Sequence, residues 1–325
     1  MRLSRRRFLR LAGVAAAAPA FPRLAPALDY PARPVRLLVG YAPGGVADII
    51  GRITGQMLSE RTNQQFIVEN HAGAGSNLAT EEVIRAQPDG YTLLGATASN
   101  AWNAAIYQNL GFDFIRDTAP VASTVRSYNV MVVNLAVPAH SVAEFITYAK
   151  ANPGKINMGS AGPGSSPHLY GELFKNMTGV DMLTVHYRGA GPAYPDLLGG
   201  QIQVMFSSVV SAIGHIRAGR VRALAVTAAT RQALLPDLPP IGETVPGYEG
   251  TDWLGVVAPK NTPTDIIDKL NAETNAALAE EKYKARFADL GAETFATTPA
   301  AFGKYVADYK EKWAKVIRRA GIKAE

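Results

Sequence analysis

The sequence contains no cysteine. That excludes a disulfide scaffold, a thiolate metal site, a cysteine nucleophile and a lipid-bearing N-terminal cysteine. Charge is sparse: charged residues make up 18% of the chain against 47% hydrophobic. Such a balance excludes a disordered chain and supplies enough apolar material for real cores. No hydrophobic stretch is long enough to cross a bilayer, which takes about 20 residues. The longest candidate, Leu11 to Phe21, is about half that. At 325 residues the chain has room for two domains.

Acids are missing from the start of the chain; the first is Asp29. Residues 1–28 instead hold Arg2, Arg5, Arg6, Arg7, Arg10 and Arg23. Setting those six aside leaves 27 of the 33 basic residues against 27 acids, so the +6 formal charge belongs to this segment alone. The rest is neutral and lacks the electrostatic footprint of a nucleic-acid binder. The segment has the layout of an export signal: a basic start, the apolar run, then Ala25-Pro26-Ala27 with cleavage expected after Ala27. Ser4-Arg5-Arg6-Arg7-Phe8-Leu9-Arg10 resembles a twin-arginine signal. The remaining chain is therefore expected to be periplasmic.

From there, strand-like runs alternate with helical spacing. Val35–Val39, Gln65–Glu69 and Thr92–Ala96 read as strands. Val46, Ile49, Ile50, Ile53, Met57 and Leu58 fall on one helix face. A second set begins with the strand Val130–Asn134. A capping box at Ser141 and Glu144 then opens a helix. Ile156–Gly159, Leu183–Tyr187, Val204–Phe206, Ala223–Thr227 and Trp253–Ala258 are further strands. The rhythm predicts an α/β fold with mainly parallel sheets and right-handed crossovers. Leu235–Pro246 reads as a surface connection. A last helix, with Thr298 as N-cap and Pro299 in its first turn, carries an aromatic stripe (Phe302, Tyr305, Tyr309, Trp313) at the spacing of a core face.

Three GxG turns each follow a strand and precede a helix: Gly73-Ala74-Gly75, Gly162-Pro163-Gly164 and Gly189-Ala190-Gly191. Pro43-Gly44-Gly45 is a related turn. None completes a dinucleotide fingerprint, because Leu78, Pro167 and Tyr194 stand at the third-glycine positions. None is followed by the Gly-Lys-Ser/Thr of a phosphate loop, so no nucleotide cofactor is expected. Glycine turns at helix N-termini still align backbone N–H groups into anion sites that need no arginine. Ser76, Ser160, Ser165 and Ser166 lie beside them with hydroxyls to complete a small carboxylate's coordination.

Catalytic and metal signals are weak. No serine sits in a G-x-S-x-G elbow, and a Ser165/His168 nucleophile pair has no third member. His168 and Glu172 are spaced i and i+4, which predicts a surface hydrogen bond or a cap rather than a metal site. Asp48 is expected to favour the dipole of the first helix.

Several segments together resemble one family. They are Val39–Asp48 (VGYAPGGVAD), Val68–Asn77 (VENHAGAGSN), Gln87–Leu94 (QPDGYTLL), Tyr148–Lys155, Gly171–Phe174, Met177–Asp181, Tyr187–Gly189, Asp196–Gln201 and Arg222–Thr227. In this order they resemble the substrate-binding proteins of tripartite tricarboxylate transporters, the Bug or TctC-like proteins, from about Tyr30 to Ile322. The resemblance implies a two-lobed type II periplasmic binding fold, each lobe a mainly parallel sheet flanked by helices, closing over a small organic carboxylate. It implies lobes of 28–128 with 254–325 and of 129–253, after a signal of 1–27. It implies delivery to membrane permease subunits by a monomer that is no enzyme and has no cofactor or metal.

Carried over by position, one lobe offers Tyr41, Ala42, Gly44, Gly45, Ala74 and Ser76, and the other Ser160, Ala161, Ser165, Ser166 and Gly189. Gly75, Gly162 and Ala190 belong to the same turns, Thr97 and Ser99 to the loop after the third strand, and Asp48 to the first motif. Three positions tune the expectation. Ser207 stands where the family usually has aspartate, which eases binding of a second anionic group. Trp102 is a candidate wall for a longer or aromatic acid, or else a cover for the lobe edge. Arg188 is a candidate bidentate partner for a distal carboxylate. His71-Ala72 replaces a usual Arg-Pro. Two other readings share parts of this pattern: a ligand-sensing receptor for a signalling protein, and an exported serine hydrolase.

Overall fold

The computed structural model describes residues 30–107 and 109–323. The export-signal expectation falls outside the described residues. The first strand, β1 (Val35–Val39), is an apolar run buried on both faces, as parallel interior strands are. Helix α1 (Val46–Thr62) buries Ile50, Ile53, Met57 and Leu58, passes Val39 of β1 at Gly51, and ends at Asn63 in a left-handed conformation. Then come β2 (Phe66–Asn70), α2 (Asn77–Arg85), β3 (Thr92–Thr97), α3 (Ala98–Ile106) and a single helical turn, α4 (Phe114–Asp117). Strand β4 (Thr118–Val133) is 16 residues long.

The next set is α5 (Val142–Ala151), β5 (Ile156–Ser160), α6 (Ser166–Thr178), β6 (Met182–His186), α7 (Ala190–Leu198), β7 (Val204–Ser208), α8 (Val209–Arg217) and β8 (Arg222–Val226). Strand β9 (Thr251–Pro259) leads to α9 (Thr264–Ala279), α10 (Glu281–Asp289), the short β10 (Glu293–Thr294) and α11 (Pro299–Ala320).

The strands run in the order β2-β1-β3-β9-β4-β7-β5-β6, with β8 and β10 also paired to β4. Pairing is parallel within β2-β1-β3 and within β7-β5-β6. The strands joining those two sets, β9 and β4, are antiparallel to their neighbours. The parallel expectation thus holds in the outer parts of the sheet. β4 changes partners along its length. Thr118–Tyr128 pairs with β9, and Asn129–Val133 lies between β7 and β8.

The first half of β4 is not legible as a strand from its sequence. Pro120, Ser123, Thr124 and Ser127 interrupt the apolar pattern, yet Ser123, Thr124 and Ser127 are all buried. Their hydroxyls are satisfied internally: Ser123 Oγ hydrogen-bonds Phe295 O and Thr297 Oγ1, and Thr124 Oγ1 donates to Leu254 O at 3.0 Å. The connection expected over Leu235–Pro246 is partly interior: Ile241 and Val245 are buried around a helical turn, Ile241–Glu243. The aromatic stripe of α11 is core. Phe302, Tyr309 and Trp313 are buried, and Thr298 Oγ1 caps the helix by accepting from Ala301 N at 3.2 Å.

Candidate functional site

The alternation of strand and helix places many helix N-termini at the same ends of the strands. Five of them line one cavity. The start of α1 contributes Gly45, Val46 and Ala47, α3 contributes Thr97 and Ser99, and α6 contributes Ser165, Ser166 and Pro167. Ala190 comes from α7 and Ser208 and Ser211 from α8. Tyr41, Asn129, Ala161 and Asp252 complete the lining, around a volume of about 40 Å3. No lysine, arginine or histidine lines it. The positive partial charges of the helix ends supply its field instead.

The polar groups are organised in two ways. One set is internally bonded. Tyr41 OH and Ser99 Oγ are 2.7 Å apart, and Ser99 Oγ and Thr97 Oγ1 2.6 Å apart. Asn100 Oδ1 accepts from Thr97 N at 2.8 Å, and Asn100 Nδ2 donates to Thr80 Oγ1 at 2.9 Å. Burial pushes the Tyr41 phenol far above its ordinary range, so it stays neutral as a donor. The other set is unspent. Ser208 Oγ, Ser211 Oγ and Asn129 Oδ1 are buried with no hydrogen-bond partner among the described residues. Buried polar atoms are normally satisfied, so three of them around one cavity mark it as a site for a polar guest.

A second depression of about 370 Å3 is lined by the Gly73-Ala74-Gly75 turn, by Gly162 and Pro163 of the next, and by Arg188, Tyr187 and His186. Tyr41 and Ala161 line both spaces and so form the partition. Ala74, Gly75 and Ser76 all carry left-handed φ angles of 47°, 61° and 78°. Two of the three are not glycine, so this loop holds backbone strain beside the depression. An added Cβ at Gly75 would meet Pro163 O at 2.5 Å.

Segments following strands of the two parallel sets also touch one another directly. Ala42 N donates to Arg188 O at 2.9 Å. Trp102 Nε1 donates to Gly164 O at 2.8 Å, and Tyr107 OH to Pro163 O at 2.8 Å. A Cβ on Gly191 would lie 2.1 Å from Pro43 O.

The candidate residues therefore divide into three groups. Tyr41, Gly45, Thr97, Ser99, Ala161, Ser165, Ser166 and Ala190 line the inner cavity. Ala74, Gly75, Gly162 and Arg188 line the outer depression. The structure places the rest elsewhere. Ala42 spends its amide on Arg188, and Gly189 packs against Ala42. Asp48 accepts from Gly44 N at 3.0 Å and Asn70 Nδ2 at 3.0 Å and pairs with Arg52 at 2.8 Å. Burial pushes its carboxyl up, but those bonds outweigh burial and hold it below the usual carboxylate range. It braces the first loop. Ser76 accepts from Asn100 at 3.3 Å, Ser160 is 2.6 Å from His186 Nδ1, and Ser207 is 2.7 Å from Tyr194 OH.

Trp102 lies on neither surface. It is fully buried, stacked on Tyr309 with centroids 5.6 Å apart and edge-on to Trp313 at 5.3 Å. Asn129, Ser208, Ser211 and Asp252 escaped the sequence reading, because no glycine turn adjoins them. Asn129 is where β4 changes partners, and Asp252 lies in β9. Ser208 and Ser211, one turn apart at the start of a helix after a strand, are the only ones with a local signal.

The hydrolase and metal patterns resolve into structural contacts. His168 Nδ1 accepts from Gly164 N at 3.1 Å, and Ser165 Oγ donates to Gly162 O at 2.7 Å. Burial pushes the His168 imidazole down to about 4. Glu172 pairs with Lys175 at 2.9 Å and accepts from Thr184 at 2.6 Å. Among the described residues no three His, Cys, Asp or Glu side chains stand together to hold a metal ion. His71, at the Arg-Pro departure, joins a cluster with Glu82 at 2.7 Å, Glu69 at 3.4 Å and Arg36.

The sequence matches the tripartite tricarboxylate transporter family receptor over residues 50–322. The chain belongs to this receptor family. Three solved structures resemble the receptor closely. One is the Rhodopseudomonas palustris protein Rpa4515 with adipate, 35% identical, with a TM-score of 0.88 over 91% of this chain and 99% of that one. Another is the periplasmic binding protein BugD, 34% identical, with a TM-score of 0.88 over 91% of this chain and 100% of that one. The third is MatC (Rpa3494) of R. palustris with bound malate, 30% identical, with a TM-score of 0.85 over 89% of this chain and 100% of that one. The receptor thus has the α/β periplasmic binding fold. Among its described residues no helix is long and apolar enough to cross a membrane.

Proposed function

We propose that this receptor captures a small organic carboxylate, a dicarboxylate or an aromatic acid, in the inner cavity and delivers it to the permease subunits of a tripartite tricarboxylate-type transporter. The observation that carries this reading is the cavity itself: five helix N-termini and unspent serine hydroxyls, with no basic side chain. Such a lining favours an anion through fixed dipoles, and lobe closure that excludes water strengthens each of those contacts. The adipate and malate of the related structures are acids of the proposed class. In this reading the lobes are 28–128 with 254–325 and 129–253, and they flex about β4 and β9. Arg188 then meets the distal end of a longer ligand in the outer depression. The chain is exported with residues 1–27 removed, acts as a monomer in the periplasm and catalyses no reaction.

The test is a thermal-shift and calorimetric screen of residues 28–325 against mono-, di- and tricarboxylates, aliphatic and aromatic. A ligand at 100 times its Kd stabilises by about 2.7 kcal/mol. A selective shift with the acid recovered unchanged is the expected result. No shift from any acid, with the protein folded, would refute the carboxylate assignment.

A further inference from the structure

Asp252 is the one carboxyl side chain lining the inner cavity. It is 4% exposed. Its Oδ1 accepts from the hydroxyl of Tyr170 at 3.0 Å, and Ser166 lines the same cavity beside it. The Tyr170 hydroxyl also reaches Thr251 O at 2.9 Å, so its single proton is divided between two acceptors. The titratable groups that face Asp252 are all phenols: Tyr41 after β1, Tyr170 on α6, and Tyr305 and Tyr309 on α11. Among the described residues no cation partners it. The same cavity gathers five helix ends that attract an anion. A ligand carboxylate seated there and an ionised Asp252 would be two like charges in one cavity.

We propose that Asp252 is the ligand-selecting acid of this cavity: it enters the complex as a neutral carboxyl and hydrogen-bonds, through its own proton, to a carboxylate oxygen of the ligand. The inference rests on the carboxylate reading above. The proton comes from solvent, one per ligand bound, and stays on Asp252 in the complex. Burial, partly offset by hydrogen bonding from Ser166 and Tyr170, already pushes this carboxyl up to about 6. A bound anion pushes it further. Affinity is then highest at and below pH 6 and falls as pH rises above it, because an ionised Asp252 must first be protonated. An aliphatic acid fits this arrangement without needing a hydroxyl or ammonium group of its own to satisfy Asp252.

Calorimetric titration of adipate and malate into the protein between pH 6.5 and 8.5 tests this. The expected Kd rises by up to about tenfold per pH unit, the slope for one coupled proton. Titrations at pH 8 in two buffers of different ionisation heat should then differ by one proton's worth of that heat. Asp252→Asn, which keeps a neutral donor at the same place, should show a pH-independent Kd and bind more tightly than wild type at pH 8.5. A pH-independent wild-type Kd with no proton uptake overturns the inference and leaves the carboxylate reading standing. So does a folded Asp252→Asn variant that loses binding while wild type binds, because Asp252 then acts as an ionised acceptor. If that variant fails to fold, the buffer comparison on wild type decides alone. No binding of any acid at any pH overturns both.

Discussion

The backbone N–H of Ala42 donates to the backbone carbonyl of Arg188 at 2.9 Å, tying the loop after β1 to the loop after β6. These loops come from the two parallel parts of the sheet, so the bond joins one part to the other. Beside it, Gly191 presses on Pro43 O with room for no side chain. Gly191→Ala should hold the loops apart while leaving each core untouched. Overpacking of this kind costs about 1–3 kcal/mol, which is roughly 5- to 150-fold in affinity. Small-angle scattering with and without ligand, alongside calorimetry, checks it. Unchanged affinity would show that closure does not use this contact.

Ser208 and Ser211 hold hydroxyls with no partner among the described residues. Changing either to alanine removes no internal hydrogen bond, so stability should stay within about 0.5 kcal/mol of wild type. Ligand affinity should fall by about 1 kcal/mol per hydroxyl, roughly fivefold. Denaturant melts and titrations on the same samples separate the two quantities. A stability loss with intact binding would make these serines structural.

Trp102 should behave in the opposite way. It is fully buried among Tyr170, Tyr309 and Trp313 and donates to Gly164 O. Trp102→Ala should cost about 3–5 kcal/mol of stability. Trp102→Phe keeps the packing and loses the hydrogen bond, about 1–3 kcal/mol. The rank order of acids bound by the phenylalanine variant should match wild type. A changed preference between aromatic and aliphatic acids would return Trp102 to the ligand.

Asp252 also sets a pH dependence of folding. Its carboxyl is raised from 3.8 to about 6 in the folded chain by burial. The folded state therefore holds this proton over a range where the unfolded state has released it. Stability from this group is fully present below pH 4 and falls as pH rises through 6. Asp252→Asn removes the penalty, so the ligand-free variant should gain on the order of 2–3 kcal/mol at pH 7.5 and little at pH 4. His168, held down at about 4 by burial, contributes the opposite slope in the same window, since its unfolded form binds a proton that the folded form refuses. Equilibrium melts of both proteins from pH 4 to 7.5 check the difference. An equal effect at both ends would show that Asp252 is ionised throughout.

The strands and helices that carry a clean period were legible from the residues: β1 and β3 match within a residue, and α1 and α11 start where the pattern starts and run three or four residues past its last apolar position. The glycine turns were legible as well, because the need for tight βα turns is local. Beginning β4 at Val130 missed twelve residues, Thr118–Asn129, since its polar side chains are satisfied by distant partners such as Phe295 and Leu254.

What the sequence by itself determined is the alternation of strand and helix, the glycine turns at helix starts, and a neutral charge balance after residue 28. Those are properties of spacing and composition, and spacing acts between near neighbours. Which turns meet, and around what, was decided only in three dimensions. The partner change in β4 places Asn129 beside Ser208, and β9 carries Asp252 to the same cavity from more than 120 residues away along the chain. The aromatic cluster withdrew Trp102 from that surface because burying a large ring on three others outweighs leaving it in water. A residue's chemistry is written in its type; whether that chemistry is spent on the fold or kept for a ligand depends on neighbours that only folding supplies.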